Sequence, residues 1–183
     1  MTRSEAIEAR HSVRQYLEGP LTPDELAGLR SEIDACNRES GLHIQLATDE
    51  PKAFSGSMAR YGKFSGVTNY LALVGKAGPD LQEKCGYWGE RLVLKAQMLG
   101  LNREEFRRLR QEGHRLAGEA QIARMDAVLL APTAVNQQKF LFTLEEDGRV
   151  SAQPGHAFYA KMDLGIAKYH FELGAGKGSF QWK

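Results

Sequence analysis

From Leu81 to Leu99 apolar side chains recur at helical spacing on more than one side of the axis. Leu81, Cys85, Trp88, Leu92, Ala96 and Leu99 keep the three-to-four residue step, and Val93, Leu94 and Met98 widen the stripe. A helix with so broad an apolar surface cannot rest on the outside of a domain. It must be covered from two directions, by two layers of its own chain or by one layer and a second subunit. Gly78-Pro79 marks its start.

The flanking sequence supplies candidate covers. Ser4 can cap a short helix ending near Arg10. Thr22-Pro23-Asp24-Glu25 combines an N-cap, a proline at the first helical position and a capping-box Glu. Leu26, Leu29, Ile33 and Cys36 then share one face until Gly41. His43 to Thr48 alternates as a half-buried strand, and Tyr70 to Val74 is a continuous apolar run ending at Gly75, as a central strand would be. A glycine-rich connector from Phe54 to Gly66 lies between them.

Residues 102–124 change character. Mixed charges surround Phe106, Leu109, Leu116 and Ala120, with Gly113 and Gly118 interrupting, which predicts an exposed helix. An apolar turn from Met125 to Leu130 is stopped by Pro132. Phe140, Phe142 and Leu144 alternate as a strand, and Asp147-Gly148 turns it toward Val150 and Ala152. A last helix is predicted with Phe158, Met162, Ile166, Tyr169 and Leu173 on one face and a stop at Gly174. Helices and strands mix without strict βαβ alternation. The expectation is one α+β domain over residues 1–183, three-layered, with a mainly antiparallel sheet flanked by helices.

Charge narrows the function classes. With 24 basic and 23 acidic side chains the net charge is +1, so no global field draws the chain to nucleic acid or an anionic membrane. An anion site has to be local. Cys36 and Cys85 belong to no C-x-x-C pattern and read as buried thiols, which fits a reducing, cytoplasmic compartment. No apolar run approaches the roughly 18 residues of a membrane span, and the first residues lack a secretory apolar region. His43, His114, His156 and His170 have no metal-ligand spacing and read as structural or surface residues, so no metal is expected.

Two short segments carry chemistry. In Ala9-Arg10-His11-Ser12-Val13-Arg14, two guanidinium groups and a hydroxyl stand at i, i+2 and i+4. Such a set can surround a phosphate, although taken alone it is more often a solvated basic turn. In Ala131-Pro132-Thr133-Ala134-Val135-Asn136-Gln137-Gln138, a proline turn before an apolar strand sets out amide donors and acceptors suited to the edge of a flat heteroaromatic ring. The bland alternative there is a helix stop and a turn residue. Gly174-Ala175-Gly176-Lys177-Gly178-Ser179 misses the P-loop spacing and reads as a helix cap and tail.

Together these segments resemble the flavin-binding signatures of the nitroreductase family. The resemblance extends over residues 5–101 and 125–182, including Gly86-Tyr87-Trp88-Gly89-Glu90 near the start of the long helix. It is closest to the nitroreductase subfamily with that helix and a late Ala-Pro-Thr-Ala-Val-Asn-Gln-Gln turn. The resemblance implies an FMN-dependent NAD(P)H oxidoreductase that reduces nitroaromatics, quinones or similar small-molecule acceptors by ping-pong hydride transfer. It implies an intertwined homodimer built on the long helix, with flavin at the subunit interface. Residue by residue, it places Arg10, Ser12 and Arg14 at the FMN phosphate and ribityl end with His11 beside them. Asn136 and Gln138 fall at the flavin ring, and Lys177 is a further cation for the phosphate. It names no catalytic acid or base. Residues 102–124 depart from the pattern, since relatives there carry a strand and a glycine-rich loop, and this implies a flavin site open on that side. Two other classes stay open: a non-catalytic dimeric flavin-binding protein on the same fold, and a small-molecule-binding module in which Arg10 and Arg14 hold a different phosphate.

Overall fold

The long helix is flanked by the first two helices, the early strands and the last helix, and the late hairpin packs on that last helix instead. The computed structural model describes residues 1–16, 19–52, 54, 56, 63–101, 127–176 and 178–183. In order, the elements are α1 (Arg3–Ala9), α2 (Pro23–Ser40), β1 (His43–Ala47), β2 (Tyr70–Val74), α3 (Leu81–Met98), a 3-10 turn (Ala134–Asn136), β3 (Phe140–Leu144), β4 (Val150–Pro154) and α4 (Ala160–Ala175). The class is α+β with antiparallel pairing, as the pattern predicts. Among the described residues the strands form two separate ladders. β1 pairs with β2, His43 opposite Val74, and β3 pairs with β4, Phe140 opposite Pro154. The exposed charged helix predicted for residues 102–124 lies outside the described residues.

Local signals explain the boundaries. At α2 the Thr22 hydroxyl accepts from the Glu25 N–H at 3.3 Å and Glu25 Oε2 accepts from the Thr22 N–H at 2.7 Å, closing the capping box. Gly41 ends the helix with φ of 70°. At α1 the cap is Thr2 rather than Ser4, because Thr2 has Glu5 three residues on to close its own box, at 3.2 and 2.7 Å. Asn37 clamps β1 to α2, donating to the Ile44 carbonyl at 3.0 Å and accepting from the Ile44 N–H at 2.7 Å.

The chain itself covers α3 on both sides. Leu92 packs with Ile33, Cys36, Leu42 and Ile44 from α2, β1 and the turn between them, whereas Leu94 packs with Ala6, Ile7 and Tyr169 from α1 and α4. Of its residues only Gln82, Lys84 and Val93 are exposed. The width of the apolar stripe therefore requires no second subunit. Against α4 the helix comes into backbone contact. A Cβ on Gly86 would lie 2.0 Å from the Met162 carbonyl oxygen, and one on Gly165 would lie 2.0 Å from that of Glu83. Only hydrogen fits at this crossing.

The last helix and the tail depart from expectation. α4 runs past Gly174 to Ala175 and is capped by Gly176, and Phe158 lies before it, 75% exposed. One glycine costs a helix only about 1 kcal/mol, so packing of Ala167, Tyr169 and Phe171 carries α4 through it. The chain end then returns beside β4, with Val150 N–H donating to the Gln181 carbonyl at 2.8 Å and Lys183 N–H to that of Val150 at 2.9 Å. This seats Phe180 and Trp182 against Phe171 and Phe142.

Candidate functional site

Arg10 is where α1 stops. Its backbone is extended (φ −71°, ψ 137°), and the chain continues to Gln15, which bridges Ser65. The segment is held by its main chain: Ser65 N–H donates to the Arg14 carbonyl at 2.9 Å and Tyr16 N–H to that of Ser65 at 3.0 Å. Val13 is buried beneath it, leaving His11, Ser12 and Arg14 exposed. Arg10 is half-buried, with its Nε in the interior, unsatisfied by any hydrogen bond and 3.9 Å from Glu90 Oε1.

That glutamate belongs to a buried pair. Glu90 of α3 is 3% exposed and His170 of α4 fully buried, with His170 Nε2 at 2.9 Å from Glu90 Oε1. His170 Nδ1 lies 2.8 Å from the Ala127 carbonyl oxygen. A carbonyl only accepts, so Nδ1 carries a proton and donates. A second proton lies between Nε2 and the carboxyl, making the pair either imidazolium with carboxylate or imidazole with carboxylic acid. The sequence pattern marks His170 as a structural or surface residue and gives Glu90 no role beyond its place in the Gly86–Glu90 segment. The available signal was a polar side chain inside each apolar helical stripe.

The second segment is a strained turn. Val135, Asn136 and Gln138 have φ of 46°, 54° and 49°, and Val135 is 96% exposed. A β-branched residue in the left-handed region costs of order 1–3 kcal/mol, so its surroundings must enforce the conformation. Asp163, 2% exposed in the first turn of α4, does so. Its Oδ1 accepts from the Ala134 N–H at 2.9 Å and its Oδ2 from Gln137 Nε2 at 2.7 Å. Gln137 Nε2 also donates to the Phe158 carbonyl at 2.8 Å, just before Tyr159, itself at φ 62°. Gln138 Nε2 donates to the Ala131 carbonyl and to Asn136 Oδ1, each at 3.1 Å, while Gln138 Oε1 is buried without a donor. Asn136 is exposed.

A cavity of about 760 Å³ opens between α3, the β1–β2 ladder and the start of α2. Tyr16, Phe54, Phe64 and Tyr70 contribute aromatic walls, and Glu25 and Glu90 are its acidic residues. The anchor segment borders this space through Tyr16. Arg10, His11, Ser12, Arg14, Asn136 and Gln138 are not among the described residues that line it. Lys177 lies outside the described residues. Among those described, no three His, Cys, Asp or Glu side chains gather as a metal set, and no helix is long and apolar enough to cross a membrane.

The exposed Ser12 and Arg14 can meet an anion, and the orphaned Gln138 acceptor in its strained turn can meet an N–H donor. No curated protein and no solved structure matches the chain. A family model described as "Putative TM nitroreductase" matches residues 3–108 and 110–175, spanning the anchor segment, α3, the strained turn and all of α4. The chain therefore belongs to the nitroreductase family, and with it to an oxidoreductase class of proteins.

Proposed function

We propose that the protein is an FMN-dependent NAD(P)H oxidoreductase acting on nitroaromatics, quinones or similar acceptors. The family match across both candidate segments carries this reading. Ser12 and Arg14, with Arg10 and His11 beside them, would hold the phosphate end, and Lys177 would add a further cation. Asn136 and Gln138 would meet the ring, with Gln138 Oε1 as an acceptor awaiting a donor. When bound, the flavin supplies the hydride chemistry, taking two electrons from NAD(P)H and passing them to the acceptor. The chain's own part is to bind and orient. Asp163 fixes the turn that presents the amides, and the Glu90–His170 pair holds a proton in the interior, where Arg10 Nε adds positive charge.

A homodimer is part of the same proposal. Since α3 is already covered, support for a second copy comes from apolar side chains around the strained turn. Leu129, Val135 and Phe158 are 60%, 96% and 75% exposed. Sedimentation of the purified protein tests this: a dimer is expected, and a well-folded monomer would overturn it. For the cofactor, a yellow preparation bleached by NADH or NADPH is the expected result. A yellow protein that stays unbleached would mean flavin binding without turnover, and a colourless one that takes up no FMN would remove the cofactor assignment.

A further inference from the structure

The buried pair Glu90–His170 and the inward face of Arg10 meet at a contact that is nearly made. Arg10 Nε is buried without a hydrogen bond, and Glu90 Oε1 stands 3.9 Å away, about 1 Å beyond a charge-assisted bond. Oε1 is occupied at 2.9 Å by His170 Nε2, through the one proton that the two groups share. The other ring proton of His170 is not free to replace it, since Nδ1 is fixed on the Ala127 carbonyl at 2.8 Å. With its shared proton the pair is neutral as a unit and has no need of Arg10.

Loss of that proton changes the needs of both partners. The pair then carries one negative charge, and Oε1 faces the bare lone pair of Nε2 with no donor between them. Arg10 Nε is a donor without an acceptor beside the same oxygen. Closing the 3.9 Å gap satisfies both atoms and joins opposite charges in the interior, where their attraction is least screened. Arg10 has the freedom to move. It follows the last residue of α1 on extended backbone, and its side chain is 13% exposed, so part of it reaches solvent on the segment that carries Ser12 and Arg14.

We infer that Glu90 and His170 are positioning residues that gate Arg10: with its shared proton the pair leaves the guanidinium free to turn outward to an anion, and without it the pair holds the guanidinium inward. The inference rests on the reading of residues 10–14 as the phosphate anchor. By linkage, a phosphate held on Arg10 makes the pair keep its proton. Other ionisable groups share the cavity wall with Glu90, namely Tyr16, Glu25 of α2, Tyr70 of β2 and Cys85 of α3, while His11 and Arg14 belong to the anchor itself. All of them remain when Glu90 is replaced by Gln, so that variant separates their titration from that of the pair.

FMN and riboflavin differ by the phosphate alone, so the ratio of their affinities, read from flavin fluorescence on the full-length protein stripped of flavin, isolates the anchor. From about pH 7 to about pH 9.5 the phosphate stays doubly ionised, its second pKa being about 6. Over this range the wild-type ratio should fall at least about fivefold as Arg10 is drawn inward. Glu90→Gln cannot acquire the charge, and its ratio should stay at the wild-type neutral-pH value. Arg10→Gln removes the gated group, and its ratio should be low and flat. If circular dichroism shows Glu90→Gln unfolded, Arg10→Gln decides. The gate is overturned if folded Glu90→Gln or Arg10→Gln shows the same fall as the wild type. A wild-type ratio well above one but constant with pH removes the gate and leaves the anchor standing, whereas a ratio near one at every pH removes the anchor and the gate with it.

Discussion

At the scale of single residues, Asp163 gives the clearest test of how the strained turn is held. Replacing it with Ala leaves the half-buried Ala134 N–H without its acceptor and the Gln137 amide with only the Phe158 carbonyl, at a cost of about 1–3 kcal/mol. Asp163→Asn keeps one acceptor and should lose less. Urea unfolding of the two variants should rank them in that order, and equal stabilities would mean that the turn is held by something else. Replacing Arg10 and Arg14 together by Ala should release FMN at least about 100-fold more readily, each charge-assisted contact contributing about 1.5–3 kcal/mol. Unchanged retention in the double variant would remove both residues from the anchor. Alkaline pH probes the core. Burial pushes the Cys36 thiol from 9.0 up to about 11 and the Tyr169 hydroxyl from 10.0 up to about 12. Above pH 9 the unfolded chain gives up protons that the folded chain keeps, so stability is full below pH 9 and falls as pH rises through these values. Melting temperatures from pH 8 to 11 should show this decline, with Cys36→Ala flattening its first part. None of these environments is written locally. Asp163 looks like an acidic residue complementing a helix N-terminus, and Glu90 and His170 meet across 80 positions that only the crossing of α3 and α4 brings together.

At the scale of elements, that crossing depends on the reciprocal glycines. Alanine favours a helix over glycine by about 1 kcal/mol, yet a methyl group at 2.0 Å from a carbonyl oxygen forces α3 and α4 apart. Gly86→Ala and Gly165→Ala should each destabilise the protein by more than about 2 kcal/mol. Gly28→Ala is the control, since its Cβ would meet side chains alone, the Leu99 methyl groups at 3.3 Å and Lys95 Cε at 3.7 Å, which can turn aside. Equal effects at all three positions would contradict a backbone-contact crossing. Leu92→Glu should unfold the chain rather than split a dimer, because Leu92 of α3 is fully buried against α2 and β1. Most boundaries were legible because their signals are short-range: the Thr22–Glu25 box, Gly41, and the hairpin turn with Gly148 at φ 80°. Ser4, the Gly174 stop and the placement of Phe158 were misread for one reason. A better-matched cap or long-range packing outweighed the nearer local preference.

At the scale of the whole molecule, the broad stripe of α3 predicted burial from two directions, and α1, α2, α4 and the β1–β2 ladder supply it. What the stripe could not specify was whether a second subunit would be one of the covers. The site was legible as two segments of the right residue types. The strain of the turn, its tie to Asp163 and the inward Nε of Arg10 depend on contacts between distant parts of the chain, and the sequence pattern holds no trace of the cavity. The central claim is that this nitroreductase-family chain works through a bound flavin. The visible absorption spectrum of the purified protein, before and after addition of NADH or NADPH without oxygen, tests it most directly. Flavin absorption that bleaches on addition of the nucleotide and returns with a quinone is the predicted result. A colourless protein that remains colourless after incubation with FMN would contradict the claim.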